Sequence, residues 1–199
     1  IEAKVTFFDY DGIHYHMIDT PGYRDFIGQV IGAFRAADLA AIMINAQSGV
    51  EVNTRRVFQE AEKAGIPRMI ILNKLDAGNI DFESLLAGIK ETFGDRCVPL
   101  NVPIGLGADF RGVASTLKAE SSVPGAVVDP SSISQSLLES IVVADEEVLS
   151  RYFEGQMPTD EEISHLLGRA MIDGSVIPIV CVSAKTGVGL TELLKVFDL

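Results

Sequence analysis

The sequence predicts an α/β fold, a mostly parallel sheet with an α+β subdomain inserted into it. Three observations carry this. β-rich runs alternate with segments of helical period over residues 4–94, and the same rhythm resumes after residue 175. Between them the texture changes to short strands, a Ser/Pro/Gly-rich stretch and three amphipathic helices. The runs 39–45, 68–72 and 176–182 are apolar almost throughout, as expected of buried parallel strands.

Taken in order, residues 4–10 and 13–18 are β-rich runs joined by Asp11-Gly12, a good two-residue hairpin turn because Gly accepts positive φ without steric cost. Phe26, Val30, Ile31 and Phe34 fall at helical spacing. After the 39–45 strand, Asn53 is placed to cap a helix that ends at Gly65, before Pro67. The 68–72 strand follows. Asp81 opens a helix with Phe82, Leu85, Leu86, Ile89 and Phe93 on one face, stopped by Gly94.

Residues 97–104 and 111–118 look like short strands, and 119–132 is a loop rich in Ser, Pro and Gly. Ile133, Leu137, Leu138, Ile141 and Val142 mark one helix; Val148, Leu149, Tyr152 and Phe153 mark a second. Thr159 and Glu162 form a capping box at the start of a third, where each side chain satisfies the other's free backbone N–H. The 176–182 strand and a helix from about Thr191 close the chain. The expected division is one domain over 1–95 and 175–199, with 96–174 inserted.

The 199 residues can bury roughly 70% of the surface the unfolded chain exposes, enough for a stable core. Apolar residues make up 47% and charged residues 22%, and no apolar run approaches the roughly 18 residues a membrane span needs. No membrane association is expected. Cys97 and Cys181 are far apart and lack metal-ligand spacing, so both thiols should be buried; with no leader-like segment, a cytoplasmic location follows. The chain begins with Ile and runs straight into a strand, so the natural protein is expected to start earlier.

The net charge of −12 opposes direct binding to a nucleic acid backbone. Residues 139–162 hold eight acidic side chains and one basic one, Arg151. That stretch reads either as a solvated helix face or as a docking surface for a basic partner.

The chemistry lies at the carboxyl ends of predicted strands, where open α/β sheets bind ligands. Asp19-Thr20-Pro21-Gly22 follows the second strand: the Asp19 carboxylate can hold a magnesium-bound water, and the Gly22 N–H can approach a terminal phosphate. Asn73-Lys74-Leu75-Asp76 follows the 68–72 strand. Guanine presents N1–H and a 2-amino donor, so the acceptor pair of Asp76 is its natural reader, while Asn73 steadies the loop and the Lys74 stem lies against the base. Ser183-Ala184-Lys185 follows the last strand, where the Ala184 N–H can donate to guanine O6.

With these motifs in hand, the chain resembles the G domain of the elongation factor G family of translational GTPases, a P-loop NTPase-like fold. Residues 19–26 (DTPGYRDF) are similar to that family's DTPGHVDF, Asn73–Asp76 to its NKMD, and 151–162 (RYFEGQMPTDEE) to its Tyr-(Leu/Phe)-Glu-Gly and Pro-Thr segment. Val102-Pro103-Ile104-Gly105 and residues 110–112 look like the inserted G′ subdomain. The resemblance implies GTP or GDP and Mg2+ as ligands of the parent protein, and action on the ribosome as a monomer. It also gives the acidic G′ helices, 139–162, the ribosomal stalk protein as partner.

Three departures qualify this. The Gly-x-x-x-x-Gly-Lys-Ser/Thr phosphate loop is missing, since Gly-Lys occurs nowhere, so the fragment itself is expected neither to hydrolyse GTP nor to bind it tightly. Tyr23 stands where the family carries its water-orienting histidine, and a phenol with a pKa of about 10 is no general base near neutrality. Residues 183–189 (SAKTGVG) follow the general GTPase pattern more than the family's own SALK. Two readings therefore stay open: a truncated GTPase module, or a nucleotide-binding or stalk-docking module of a non-hydrolysing paralogue. His14 and His16, on one strand face, are two ligands without a third, and His165 is expected to be structural.

Overall fold

The computed structural model describes residues 1–117, 119 and 121–199. Strands β1 (Lys4–Tyr10) and β2 (Ile13–Asp19) pair antiparallel around the Asp11-Gly12 turn. A 3-10 turn (Arg24–Phe26) leads into α1 (Ile27–Ala33), so the expected 26–34 helix is shorter and split. Only Val30 of its apolar set is buried, and Ile31 is exposed.

Strands β3 (Ala40–Asn45) and β4 (Arg68–Asn73) flank α2 (Val52–Ala64), and α3 (Phe82–Phe93) follows. Gly65 ends α2 in the left-handed region, with φ 69° and its N–H on the carbonyls of the last turn. Asn53 does not cap this helix: Glu51 holds the cap position and makes no side-chain cap bond. Asp81 does cap α3, accepting from the Ser84 N–H at 3.1 Å.

The expected insertion starts at residue 96, yet β5 (Cys97–Pro99) belongs to the main sheet, pairing parallel with β8 (Ile177–Cys181). All three residues of β5 are buried, as a strand covered on both faces requires. Next, β6 (Asn101–Ile104) and β7 (Gly112–Ser115) form a separate antiparallel ribbon. The 111–118 run thus yields a four-residue strand, and its Lys118 lies outside the described residues. Three helices follow: α4 (Pro130–Val142), α5 (Glu146–Phe153) and α6 (Asp160–Asp173). The predicted capping box is complete, with Glu162 N–H on Thr159 Oγ1 at 3.2 Å and Thr159 N–H on Glu162 Oε2 at 2.8 Å.

The main sheet has the order β3-β4-β8-β5, all parallel. Its strands alternate between two cores. Met69, Ile71 and Val180 face α4, α6 and the last helix, α7 (Leu190–Phe197); Ile42, Ile44, Ile70, Leu72 and Ile179 face Phe58 of α2 and Phe82, Leu85 and Ile89 of α3. Cys97 and Cys181 are buried free thiols, as expected. The β1–β2 hairpin stays outside this sheet. Phe8 stacks on Tyr15, which reaches Phe197 and gives its hydroxyl to Asp198, raising the Tyr15 phenol to about 12. Val5, Phe7 and Met17 of the hairpin and Met43 of β3 remain exposed.

Candidate functional site

Because β4 and β8 are parallel neighbours, the loops after them leave the same edge of the sheet. Asn73 is the last residue of β4, and its Oδ1 accepts from the Lys74 N–H at 2.7 Å and the Ala184 N–H at 3.0 Å. One side chain therefore ties the two loops together. Lys74 takes the left-handed conformation, φ 67°, which sends its side chain outward and lets the next residue turn in. That residue, Leu75, is wholly buried and acts as an apolar plug under the loop; its N–H reaches the Val182 carbonyl at 3.4 Å.

Asp76 is then held from the β8 side. Ser183 Oγ donates to Asp76 Oδ1 at 2.6 Å, and Lys185 Nζ lies 3.8 Å from Asp76 Oδ2. The Ser183 bond first, with a backbone N–H and Lys185 adding, holds the Asp76 carboxyl below its ordinary 3.8. The result is a fixed, ionised acceptor pair. Gly189, φ 82°, closes the 183–189 loop where a Cβ would come within 2.3 Å of the Cys181 carbonyl oxygen, so only glycine fits.

The inserted ribbon touches the same loop. The Gly107 N–H donates to the Leu75 carbonyl at 2.9 Å, and a Cβ on Gly107 would sit 3.3 Å from the Ala77 carbonyl oxygen. The insertion thus braces residues 75–77 through Gly107.

Asp19, Gly22 and Tyr23 come from the hairpin. Asp19 ends β2, exposed, and its carboxylate makes no hydrogen bond among the described residues. Such a carboxylate suits a water-mediated cation contact. Gly22 is also exposed, with nothing within 4 Å of where its Cβ would be, and its carbonyl accepts from Asn53 Nδ2 at 2.7 Å. That bond places Gly22 beside the first turn of α2, near the carboxyl end of β3. The Tyr23 ring is 70% exposed and its phenol is free of hydrogen bonds among the described residues.

Sequence reasoning missed three residues here: Asn45, Gln47 and the outward reach of Asn53. Asn45 ends β3 in register with Asn73, and its Oδ1 accepts from the Gln47 N–H at 3.1 Å. Gln47 Nε2 then donates to the Gly78 carbonyl at 2.9 Å, tying the β3 loop to the Asn73–Asp76 loop. An Asn closing an apolar strand was the available signal for Asn45. Nothing in spacing pointed to Gln47.

Other expected features fall elsewhere. His14 and His16 stack edge to face at 4.7 Å, with His14 Nδ1 2.6 Å from Asp9 Oδ1, and no group of three metal-ligating residues occurs among the described residues. His165 is not structural in the sense expected. It is exposed and lines an acidic cleft of about 310 Å³ between α5 and α6 with Asp145, Glu147, Arg151, Glu161 and Glu162. Arg151 donates to Glu162 inside that cleft, and Phe153 and Met157 stand exposed on the same segment.

Comparison with known proteins agrees with this geometry. The family described as elongation factor Tu GTP binding domain matches residues 1–199. Elongation factor G of Thermotoga maritima is 32% identical over 209 aligned positions, covering 98% of this chain and 30% of its own length. An elongation factor G-like protein of Mycobacterium tuberculosis is 33% identical over 199 positions, covering 94% of this chain and 28% of its own. A crystal structure of a Thermus thermophilus protein superposes with TM-score 0.86 at 29% identity, over 98% of this chain and 31% of that one. The chain thus spans under a third of the length of the relatives it matches. The β3-β4-β8-β5 sheet, its two carboxyl-edge loops and these matches together place the chain in the elongation factor Tu GTP binding domain family, among its elongation factor G-like members.

Proposed function

We propose that this chain is the guanine-reading portion of a cytoplasmic, ribosome-acting GTPase. The observation that carries the reading is the Asn73–Asp76 and Ser183–Lys185 pair of loops, locked by Asn73 Oδ1 and Ser183 Oγ into one acceptor site. Asp76 takes the guanine N1–H and 2-amino donors, Asn73 holds the loop, the Lys74 and Lys185 stems flank the base, and the Ala184 backbone faces O6. In the present geometry Asn73 occupies the Ala184 N–H, so the O6 contact requires that donor to be shared.

Asp19 and Gly22 would serve the phosphate end. Asp19, exposed and free of protein partners, fits a magnesium ion held through water, while the inner ligands and the lysine cradle belong to a phosphate loop that this sequence does not contain. The ion, when bound, neutralises phosphate charge; this chain's own residues orient the base and one water. By this reading the domain comprises 1–100 and 175–199, and the insertion starts with β6. Its acidic helices dock a basic surface of the ribosomal stalk, and no nucleic acid contact is made by this part.

The exposed Tyr23 phenol favours a second reading, a paralogue that binds GTP without hydrolysing it unaided. Isothermal titration of this chain and of its full-length parent with GDP, GTP and ATP tests the main reading. The parent should bind guanine nucleotides and not ATP, and this chain should bind neither tightly. Micromolar GTP binding with turnover by the 199-residue chain alone would overturn the assignment of the missing cradle.

A further inference from the structure

Asn53 is spare by the usual logic of helix capping. It lies in the first turn of α2, inside the cap at Glu51, and its side chain turns away from its own helix. Asn53 Nδ2 reaches the Gly22 carbonyl at 2.7 Å, across 31 residues of sequence. Only the N–H end of an amide can face a carbonyl, so the orientation of the group is settled by its partner. That leaves Asn53 Oδ1 buried without a protein hydrogen-bond partner among the described residues. A buried acceptor left unpaired is unfavourable, and a side chain of similar size without polar atoms would avoid it. The amide is therefore retained at a cost, and the one thing it does is hold Gly22.

Backbone pairing holds only the ends of this segment, Asp19 in the ladder with Lys4 and the Tyr23 carbonyl on the Phe26 N–H. Among the described residues the Asn53 bond is the one side-chain hydrogen bond to the segment Asp19–Tyr23, and no atom stands within 4 Å of the Gly22 Cβ direction. Glycine restricts neither φ nor ψ, so without Asn53 the peptide would sample many orientations. We propose that Asn53 is a positioning residue for the phosphate contact: it anchors the peptide after Gly22 and so presents the Gly22 N–H, on the other side of the same Cα, from a fixed point. The proposal rests on the reading of Asp19–Gly22 as the phosphate-sensing segment. It assigns to α2 the task of coupling that segment to the carboxyl edge of β3.

Asn53→Asp keeps the shape, removes the donor and sets a carboxylate against the Gly22 carbonyl. A negative charge in the first turn of a helix is favourable, so α2 stays folded. Asn53→Ala repeats the test without the added charge. Amide exchange followed by NMR on this chain should accelerate by about fivefold or more at Phe26, whose N–H donates to the Tyr23 carbonyl at 3.1 Å in the peptide run that Asn53 anchors. Amides of Ile70–Leu72 should not change. In the full-length parent both variants should weaken GTP about fivefold and leave GDP unchanged, because only GTP has the terminal phosphate.

Unchanged exchange at Phe26, or faster exchange throughout the molecule, overturns the anchor. Equal loss of GTP and GDP overturns the phosphate role while leaving the anchor in place. If the unsubstituted parent binds no guanine nucleotide, the nucleotide reading and the phosphate role fall together, and the exchange result alone still decides whether Asn53 holds the loop.

Discussion

Ser183 Oγ and Asp76 Oδ1 meet at 2.6 Å across 107 residues of sequence, so the last loop of the fold sets the charge state of a residue in the fourth-strand loop. Ser183 is wholly buried and also accepts from the Thr186 N–H at 3.2 Å. The hydroxyl is held in place to donate. Strand pairing of β4 with β8 makes this geometry automatic once the sheet forms.

The first expected outcome concerns acid. A depressed carboxyl pKa contributes stability that is present above the unfolded value and lost as pH falls through the lower, folded one. Asp76 sits below its ordinary 3.8, so it remains ionised across the neutral range and guanine reading should be flat with pH there. Ser183→Ala removes the largest cause. NMR titration should show the Asp76 carboxyl moving up toward its ordinary value, with acid unfolding of this loop beginning at higher pH.

A second follows from matching donors and acceptors. Guanine shows Asp76 two donors, whereas xanthine replaces the 2-amino group with a carbonyl. Asp76→Asn supplies one acceptor and one donor in the same place. In the full-length parent this substitution should lower GDP affinity by about 10- to 100-fold and raise affinity for xanthosine diphosphate, because a mismatched donor faces the base. Competition binding with both nucleotides checks it. Retained preference for GDP would remove Asp76 from the base site.

How far was this legible in the sequence? Asn73, Lys74 and Asp76 lie in one short loop, and so do Ser183 to Lys185, so their spacing was legible locally, while the role of Leu75 as a buried plug was not. The capping box at Thr159 and the apolar strands were equally local. What escaped depended on placement in space. Asn53 reads as a helix cap because Asn before a helical run commonly is one, and only the position of the hairpin makes Gly22 its partner. Three residues, Cys97–Pro99, are too few to show a period, so their place in the main sheet was invisible until β8 was seen beside them. His165 lies between the apolar positions Ile163 and Leu166 of an amphipathic helix, but the helix turns it to the acidic cleft.

At the opposite edge of the sheet, Glu62 joins two guanidinium groups. Its Oε1 lies 2.9 Å from Arg68 Nη1 and also accepts from Arg96, and these cations hold the Glu62 carboxyl below its ordinary 4.5. Arg68 is only 8% exposed and rests over the Phe58 ring at 5.0 Å. Glu62→Gln leaves that buried cation without its carboxylate. Because Glu62 is itself 46% exposed and screened by water, the loss should be about 1–2 kcal/mol, less than for a fully buried pair. A melting temperature lower by about 2–8 °C corresponds to that figure in a chain of this size. The difference from the parent should vanish as pH falls below the folded value of Glu62, where the carboxyl is already protonated; a difference that persists there would point to packing.

Tyr23 carries a kinetic expectation. Its phenol is exposed and stands where the family carries a histidine, and it lacks the imidazole nitrogen that takes a proton from water. Tyr23→His in the full-length parent should raise ribosome-stimulated GTP turnover by about 100-fold, the low end of what a positioned general base supplies. Nucleotide affinity should not move, since residue 23 touches neither base loop. Equal turnover in the two proteins would show that the parent activates water by other means.

The acidic helices give the last expectation. Between residues 139 and 162 the charge is almost all negative, and within the α5–α6 cleft Arg151 is already committed to Glu162. On the proposed docking, a partner cation would be met by Glu147 and Glu161, which also line that cleft, with exposed Phe153 on the same segment as an apolar contact. Glu147→Lys with Glu161→Lys should weaken association with the isolated basic stalk domain by about tenfold at low salt, and added salt should shrink the difference, because contacts between exposed charges are screened over about 10 Å at 0.1 M. Phe153→Ala should weaken association at every salt concentration, since burial of an aromatic ring does not depend on ionic strength. The two salt profiles separate charge steering from apolar anchoring, and a double-lysine variant that bound the stalk domain as well as the parent would leave this face as a solvated surface only.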